Sequence, residues 1–473
     1  HWEILFLKPI LQQFMLFLAS EHTQIPSMDK NVINKKDLVE FIESGCKPKN
    51  DWKIGTEHEK FGFFRKDFKP ISYDDINVLF SELHKKFGWK KIFENNLLIA
   101  LEKAGSTITL EPGGQIELSG APLNNLFHTC QEVTSHQFEL NSVSRPMGIE
   151  YMGMGCLPKW KLDQIPIMPK QRYEIMRKYM QKTGTNGLDM MLRTSTIQAN
   201  LDYDSELDMI KKFRVSLSIQ PAVIALYANS PFIEGELTNY LSYRSWIWTQ
   251  TDQSRCGILP FVFDESFSFE SYVDYLLDIP MYFVKRNGQY VDCSGDSFKK
   301  FMEGGLEKLP GIFPTLDDWN DHLTIAFPEV RLKKYLEVRG ADGGPWSSVC
   351  ALPAFWTGIL YDSDVLDETW NLVSSWTDMG RQNFYDDVAK SGLQSKTPDN
   401  LDIKVFLKKL LQLSSKGLSR RAIFNEEKKN ETIFLNTLSS ILDSGESPAE
   451  VWKKLFLEKW EQNIDIIYKS NSF

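Results

Sequence analysis

IGTEHEKFGFF, from Ile54 to Phe64, alternates as a β-strand does and sets two glutamates, Glu57 and Glu59, one residue apart. Strand side chains point alternately to opposite faces, so Glu57, Glu59, Phe61 and Phe63 share one side and Thr56, His58, Lys60 and Gly62 the other. If the glutamate face is covered, two uncompensated anions are costly there, and a bound cation is the simplest remedy. If the face is wet, the pair costs almost nothing.

The same question recurs along the chain. EPGGQIELSG carries Glu111 and Glu117, MMLRTSTIQANLDY carries Arg193, and RLKKYLEVRGADGGPW carries Glu337 and Arg339. All read as strands with charge in a period of two. In the segment from Met190 to Tyr203, Thr194, Thr196, Gln198 and Asn200 fall on one face, and so uniform a polar face on a central strand implies a wet cavity. Several glutamates from separate strands on one sheet face would suit a hard cation such as Mg²⁺, held together with substrate phosphates. Gly113 and Gly114 mark either a hairpin tip or a place where backbone approaches a ligand. RGADGG, from Arg339 to Gly344, reads as a glycine-rich loop whose N–H groups cradle phosphate beside Arg339.

Around these strands, helical spacing runs over Lys35 to Gly45, Asp74 to Phe87, Phe127 to Met147, Lys170 to Lys182 and Glu206 to Ala228. LLIALEKAG and STITL read as a strand pair, and Asn287-Gly288 as a hairpin turn within PMYFVKRNGQYVDC. Beyond about Leu352 the pattern is helical. Hairpin-compatible strands with helices between them predict an α+β fold with an antiparallel sheet rather than a doubly wound parallel one.

Composition sets the class. The chain has 473 residues, 42% of them hydrophobic, and a formal net charge of −9, which suits a packed globular enzyme and argues against a broad nucleic-acid surface. The basic pairs Lys333-Lys334 and Lys428-Lys429 read as solvated helix faces. Residues 1 to 27 are apolar but broken by Lys8, Pro9, Gln12 and Gln13, a poor signal peptide and a poor membrane span. They read as an extension ahead of Met28, with a short membrane-associating helix as the alternative. Six cysteines are scattered without a CxxC pair, so a cytoplasmic location is expected. His58, His128, His136 and His322 read as structural, since none stands at metal spacing from another histidine. Walker A, dinucleotide and nucleophile-elbow motifs are missing from the sequence.

IGTEHEKFGF, ITLEPGGQIELSGAP, LDMMLRTSTIQANLD, ANSPF, LPFVFD, YVDYLLDIPMYF and FPEVRLKKYLEVRGADGGPW together resemble the plant and proteobacterial type of glutamate–cysteine ligase, from about Lys35 to the C-terminus. The resemblance implies a glutamine-synthetase-like antiparallel sheet under the active site and a single catalytic domain over residues 28 to 473. It implies an ATP- and Mg²⁺-dependent acid–amino-acid ligase acting on L-glutamate and L-cysteine, with no membrane or nucleic-acid partner, as a monomer or homodimer. Glutamate is phosphorylated on its γ-carboxylate, and the cysteine amine then attacks the γ-glutamyl phosphate in the first step of glutathione synthesis. A related ligase with another amine acceptor would share this machinery. On the same resemblance Glu57, Glu59, Glu111, Glu117 and Glu337 hold metal, Glu337 and Arg339 serve catalysis, and Arg339, Gly343 and Gly344 bind nucleotide. Arg172, Arg244 and Tyr282 bind glutamate, and Thr194, Thr196 and Gln198 line the cleft. Cys130 and Cys350 match one cysteine pair of the plant members, either bridged or as two buried thiols. The second pair is incomplete, because Lys308 stands where a partner for Cys293 is needed.

Overall fold

The computed structural model describes residues 33–471, and the expectations for residues 1 to 27 lie outside them. Helix α1 (Lys35–Glu43) starts at a capping box in which Asn34 accepts from Lys36 N–H and Asp37 N–H while the Asp37 carboxylate accepts from Asn34 N–H. Strand β1 (Ile54–Phe64) follows, then α2 (Tyr73–Phe87), which Gly88 stops at a φ of 75°. The chain next makes a meander of β2 (Lys90–Glu94), β3 (Leu97–Lys103), β4 (Ser106–Leu110) and β5 (Ile116–Ser119). After it come α3 (Leu126–Ser144), β6 (Ile149–Met152), α4 (Gln171–Met180), α5 (Gly187–Arg193), β7 (Thr196–Leu201), α6 (Glu206–Tyr227) and α7 (Tyr243–Thr249). A hairpin of β8 (Phe283–Arg286) and β9 (Gln289–Asp292) turns at Asn287 and Gly288, both with positive φ, as an Asn-Gly turn should. A second hairpin, β10 (Val330–Leu332) and β11 (Leu336–Asp342), precedes α8 (Trp346–Leu360), after which the described chain is helical.

The main sheet has nine strands in the order β10-β11-β7-β1-β5-β4-β3-β2, with β6 on the far end of β1, and every pairing is antiparallel. Alternation decides its two faces. Ile197, Ala199 and Leu201 of β7 and Ile116 and Leu118 of β5 are buried, and α3 and α8 pack on β1, α8 also on β7, and α6 on β11. Gln198, Glu57, Glu59, Glu117 and Glu337 occupy the other face, at the floor of a cleft. One apolar core runs from Ile33 to Tyr468. Among the described residues no helix is long and apolar enough to cross a membrane.

Two segments differ from expectation. The stretch from Met190 to Tyr203 is strand only from Thr196 onward, because MMLR, made of good helix formers, closes α5. RGADGG is not a loop. β11 continues through it to Asp342, with a bulge between Val338 and Ala341. Gly340 lets two buried side chains close in: a Cβ there would lie 2.1 Å from Glu329 Oε2 and 2.3 Å from Gln220 Nε2 and would displace both.

Behind the sheet, a disulfide between Cys130 and Cys350 ties α3 to the first turn of α8 across a sequence separation of 220. Cys293 is a buried free thiol, and Lys308 Nζ donates to the neighbouring Asp292 carbonyl at 2.5 Å. Cross-linking so long a loop stabilises a fold by about 5 kcal/mol in the chain-entropy view. Dithiothreitol should therefore lower the thermal midpoint by several degrees, and Cys350→Ser should melt like the reduced protein and ignore reductant. Equal melting of wild type with and without reductant would show that the bridge contributes nothing.

Candidate active site

The cleft encloses about 470 Å³ over the sheet and is charged in two distinct ways. Its acid pole comes from β1, β4 and β5. Glu59 lies directly opposite Glu117 across the β1–β5 pair, an arrangement that like charges resist. Glu111 joins them from the turn after β4, where Gly114 N–H donates to the Glu111 carbonyl at 2.8 Å and Gly114 takes a φ of 83°. Gly113 has no room for a side chain because a Cβ would sit 2.2 Å from the Leu192 carbonyl oxygen. Gly113 thus serves a backbone contact with α5, and Gly114 the left-handed conformation of the turn.

Burial, and then repulsion from Glu111, push Glu59 up to about 8, although Arg244, Arg339 and the Thr196 N–H at 3.1 Å oppose the shift. Glu117 is raised well above the usual range by burial and by Glu111, Glu57 and Glu59, against a hydrogen bond from the Thr109 hydroxyl at 2.7 Å. Glu57 is raised by burial and by Glu337, with Lys333 and an Asn200 amide at 2.7 Å opposing.

The basic pole is built by β10 and β11. Glu337, fully buried, accepts on Oε2 from Arg331 Nε at 2.5 Å and from Arg339 Nη1 at 3.0 Å, and its Oε1 lies 3.4 Å from Lys333 Nζ. Burial disfavours the charge of Glu337, yet these three cations hold its carboxyl well below the usual range. Glu337 is thereby the counter-ion of a cationic group, and beside the metal role expected of it, it repels Glu57 at the edge of the acid pole.

The remaining predicted residues divide. Arg172 lines the cleft beside Lys170 and Tyr173, and its buried Nε has no hydrogen-bond partner. Gln198 accepts from Arg339 at 2.9 Å. Thr194 lines the wall and donates to the Met190 carbonyl at 2.6 Å. The Thr196 hydroxyl instead turns to the bulge, donating to the Ala341 and Arg339 carbonyls at 2.8 and 3.0 Å. Arg244 clasps the same bulge, donating to the carbonyls of Arg339 at 2.9 Å and Gly340 at 3.1 Å. Each of its two Nη groups thus gives one bond to backbone while its buried Nε has no partner, and it braces the bulge that carries Arg339.

Tyr282 lies outside the cleft lining, buried with its ring 4.3 Å from the Arg255 guanidinium carbon. Gly343 and Gly344 lie outside it too. Gly343 N–H donates to the Ser195 carbonyl at 2.9 Å, and a Cβ on Gly343 would meet Met154 O and Ser195 Oγ at 2.6 Å, so the expected phosphate cradle is taken up by packing. Arg193 ends α5 and pairs with Asp189 and Glu234 instead of facing the cleft. Of the histidines, His58 and His136 pack edge to face behind β1, and His322 Nε2 lies 2.7 Å from the Leu276 carbonyl. Among the described residues no group of three or more His, Cys, Asp or Glu side chains is arranged to hold a metal ion.

Sequence reasoning missed Lys170, Tyr173, Trp248, Phe327, Arg331, Lys333 and Tyr335, all of which line the cleft. A signal for three of them was present. Arg331, Lys333, Tyr335, Glu337 and Arg339 keep a strict period of two through the β10–β11 turn. Trp248 also walls a larger cavity of about 570 Å³ toward Asp386 and Asp387, which holds none of the predicted residues.

The profile of glutamate-cysteine ligase family 2 matches residues 53–470. Glutamate–cysteine ligase A, chloroplastic, of rice (Oryza sativa subsp. japonica) is 52% identical over 451 residues, 95% of this chain and 90% of the relative. The chloroplastic enzyme of Brassica juncea is 49% identical over 455 residues, 96% of this chain and 87% of the relative. A crystal structure of the Francisella tularensis glutamate–cysteine ligase in complex with AMP superposes with a TM-score of 0.51 at 12% identity, over 90% of each chain, a likeness of fold alone. The chloroplastic relatives overturn the expected cytoplasmic location and point to a plastid. Scattered cysteines were a poor guide to compartment, since two of them pair.

The raised Glu59 has a stability consequence. A carboxyl that titrates at about 8 when folded and near its ordinary value when unfolded binds more protons in the folded state between those limits, so stability falls as pH rises through that window. Chelator-treated protein should lose thermal stability between about pH 5 and 8, and Glu59→Gln should flatten that slope. A variant whose slope equals that of wild type would show that Glu59 is ionised at no cost.

Proposed function

The chain belongs to glutamate-cysteine ligase family 2, and we propose that the two poles of its cleft carry the ATP-dependent joining of the glutamate γ-carboxylate to the cysteine α-amine. The carrying observation is that one sheet face places a cationic group and a carboxylate group within the same cavity. Phosphoryl transfer needs both: cations to hold phosphate oxygens, and carboxylates to hold the metal that travels with a nucleotide.

In this reading a γ-carboxylate oxygen of glutamate takes the γ-phosphoryl group of ATP, and ADP leaves. The cysteine nitrogen then attacks the activated carbonyl carbon, the C–N bond forms, the C–O bond to phosphate breaks, and the amine gives up its proton. Arg339, held by Gln198 and Glu337, stabilises charge on the transferring group. Arg172, whose Nε lacks an acceptor, receives a substrate carboxylate. Arg244 acts by bracing the bulge that carries Arg339.

Glu59, Glu111 and Glu117 fit Mg²⁺ by donor chemistry, being oxygen ligands whose mutual repulsion a cation relieves, and they form no ready-made cage among the described residues, as suits an ion shared with phosphate. Bound there, Mg²⁺ would neutralise charge between phosphate and carboxylate. The single catalytic domain expected over residues 28 to 473 is part of the proposal, supported by the continuous core from Ile33 to Tyr468.

Coupled assay of ADP release tests the reading. Wild type should need glutamate, cysteine and Mg²⁺ together, and cysteine should exceed other amino acids as acceptor. Glu59→Gln and Glu117→Gln should each cut turnover by about 100-fold or more at unchanged secondary structure, in the range of lost electrostatic groups at active sites. Wild-type turnover in either variant would remove that residue from the site.

A further inference from the structure

Lys333 and Lys334 are neighbours in a short basic run, yet the β10–β11 turn sends them to different places. Lys334 is exposed, its ammonium 4.2 Å above the Phe41 ring. Lys333 enters the cleft, with its side chain 20% exposed. The turn fixes this outcome: Lys333 N–H donates to the Tyr335 carbonyl at 2.8 Å, and the register pairs Arg331 with Glu337, so odd-numbered residues face the cleft.

The three cations around Glu337 are not equally committed. Arg331 is the most firmly anchored, with Nε on Glu337 and Nη1 donating to the Thr324 and Ala326 carbonyls at 3.1 and 2.9 Å. Arg339 is divided between Gln198 and Glu337. Lys333 makes one long hydrogen bond, 3.4 Å to Glu337 Oε1, and its ammonium lies 5.6 Å from the centre of the Tyr335 ring. An ammonium has three donors, so most of its hydrogen-bonding capacity is unspent. All three cations touch Glu337 and feel the nearby Glu57, so even with Glu57 counted two carboxylates face three cations and one positive charge is in excess; Lys333 has the fewest hydrogen bonds of the three.

We propose that Lys333 is an anion-binding residue of this cleft, swinging from Glu337 to the terminal phosphate oxygens of a nucleoside triphosphate. The proposal rests on the ligase reading above. Glu337 then acts as a parking position that keeps the ammonium in the cleft while it is empty of nucleotide. Arg331 supplies the fixed positive background, since its Nε and Nη1 are anchored to Glu337 and to two backbone carbonyls.

The test compares Lys333→Met, which keeps the stem and removes the charge, with Lys333→Arg, Lys334→Met and Arg339→Met. The probes are the nonhydrolysable triphosphate AMP-PNP in calorimetry, and steady-state KM values for ATP and glutamate. Lys333→Met should weaken AMP-PNP at least 10-fold and raise the KM for ATP similarly while leaving that for glutamate within 2-fold. Lys333→Arg should recover part of the affinity, and Lys334→Met should match wild type. Unaltered AMP-PNP affinity in Lys333→Met beside a loss in Arg339→Met would overturn the assignment and leave the ligase reading standing. Unaltered affinity in both would overturn the basic pole as a phosphate site altogether. A rise in the KM for glutamate alone would also overturn it, placing Lys333 on the amino-acid carboxylate.

Discussion

Glu337 gathers three cations at one end of a sheet whose middle strands crowd three glutamates together, and the character of the cleft depends on that asymmetry. A buried carboxylate is normally costly, and its cost is met only by well-placed partners. Here the partners outnumber it. The surplus makes an anion site, while Glu59 and Glu117, facing each other across a strand pair, make its opposite. Antiparallel pairing keeps both groups on one face, because register transmits the alternation of each strand to its neighbours. The bulge in β11 interrupts that alternation on the cationic side, and Arg244 and Thr196 both hold it.

The fold was legible wherever periodicity alone decides. β1, the meander, the Asn287-Gly288 hairpin and the helical C-terminal part stand where alternation, turn residues and helical spacing place them. The misreadings have physical causes. Thr194, Thr196, Gln198 and Asn200 alternate like a strand, but the chain ahead of them is helical through Arg193, so alternation there continued past the true boundary. RGADGG looked like a loop because glycine is usually a breaker. In the folded chain those glycines admit Glu329, Gln220 and the Ser195 segment at close quarters, contacts that no local rule reveals.

The site was legible in its acids and only partly in its cations. Glutamates in a period of two announce themselves, since like charges repeated on one face demand a reason. Arginines do not. Arg172, Arg193, Arg244 and Arg339 are indistinguishable by local pattern, yet Arg172 and Arg339 line the cleft, Arg193 pairs with Asp189 and Glu234, and Arg244 braces backbone. Which donors are spent is a tertiary property. Lys333 was hidden by its neighbour, because two adjacent lysines read as a solvated run until a turn separates them.

The order of the strands also has a bearing on how the molecule comes into being. The acid pole is complete by Glu117, whereas the basic pole begins only at Arg331, and β11 must insert beside β7 to finish the sheet. The cleft therefore consists of long-range contacts, which form slowly because loop closure precedes their reward. During synthesis the glutamates emerge well before the cations that share their cavity. Until the late hairpin docks, the nascent sheet ends at β7 in an open edge, the kind of surface that invites pairing with another chain. Any folding route that forms the rest of the sheet first leaves the β7 edge uncovered until the two poles meet.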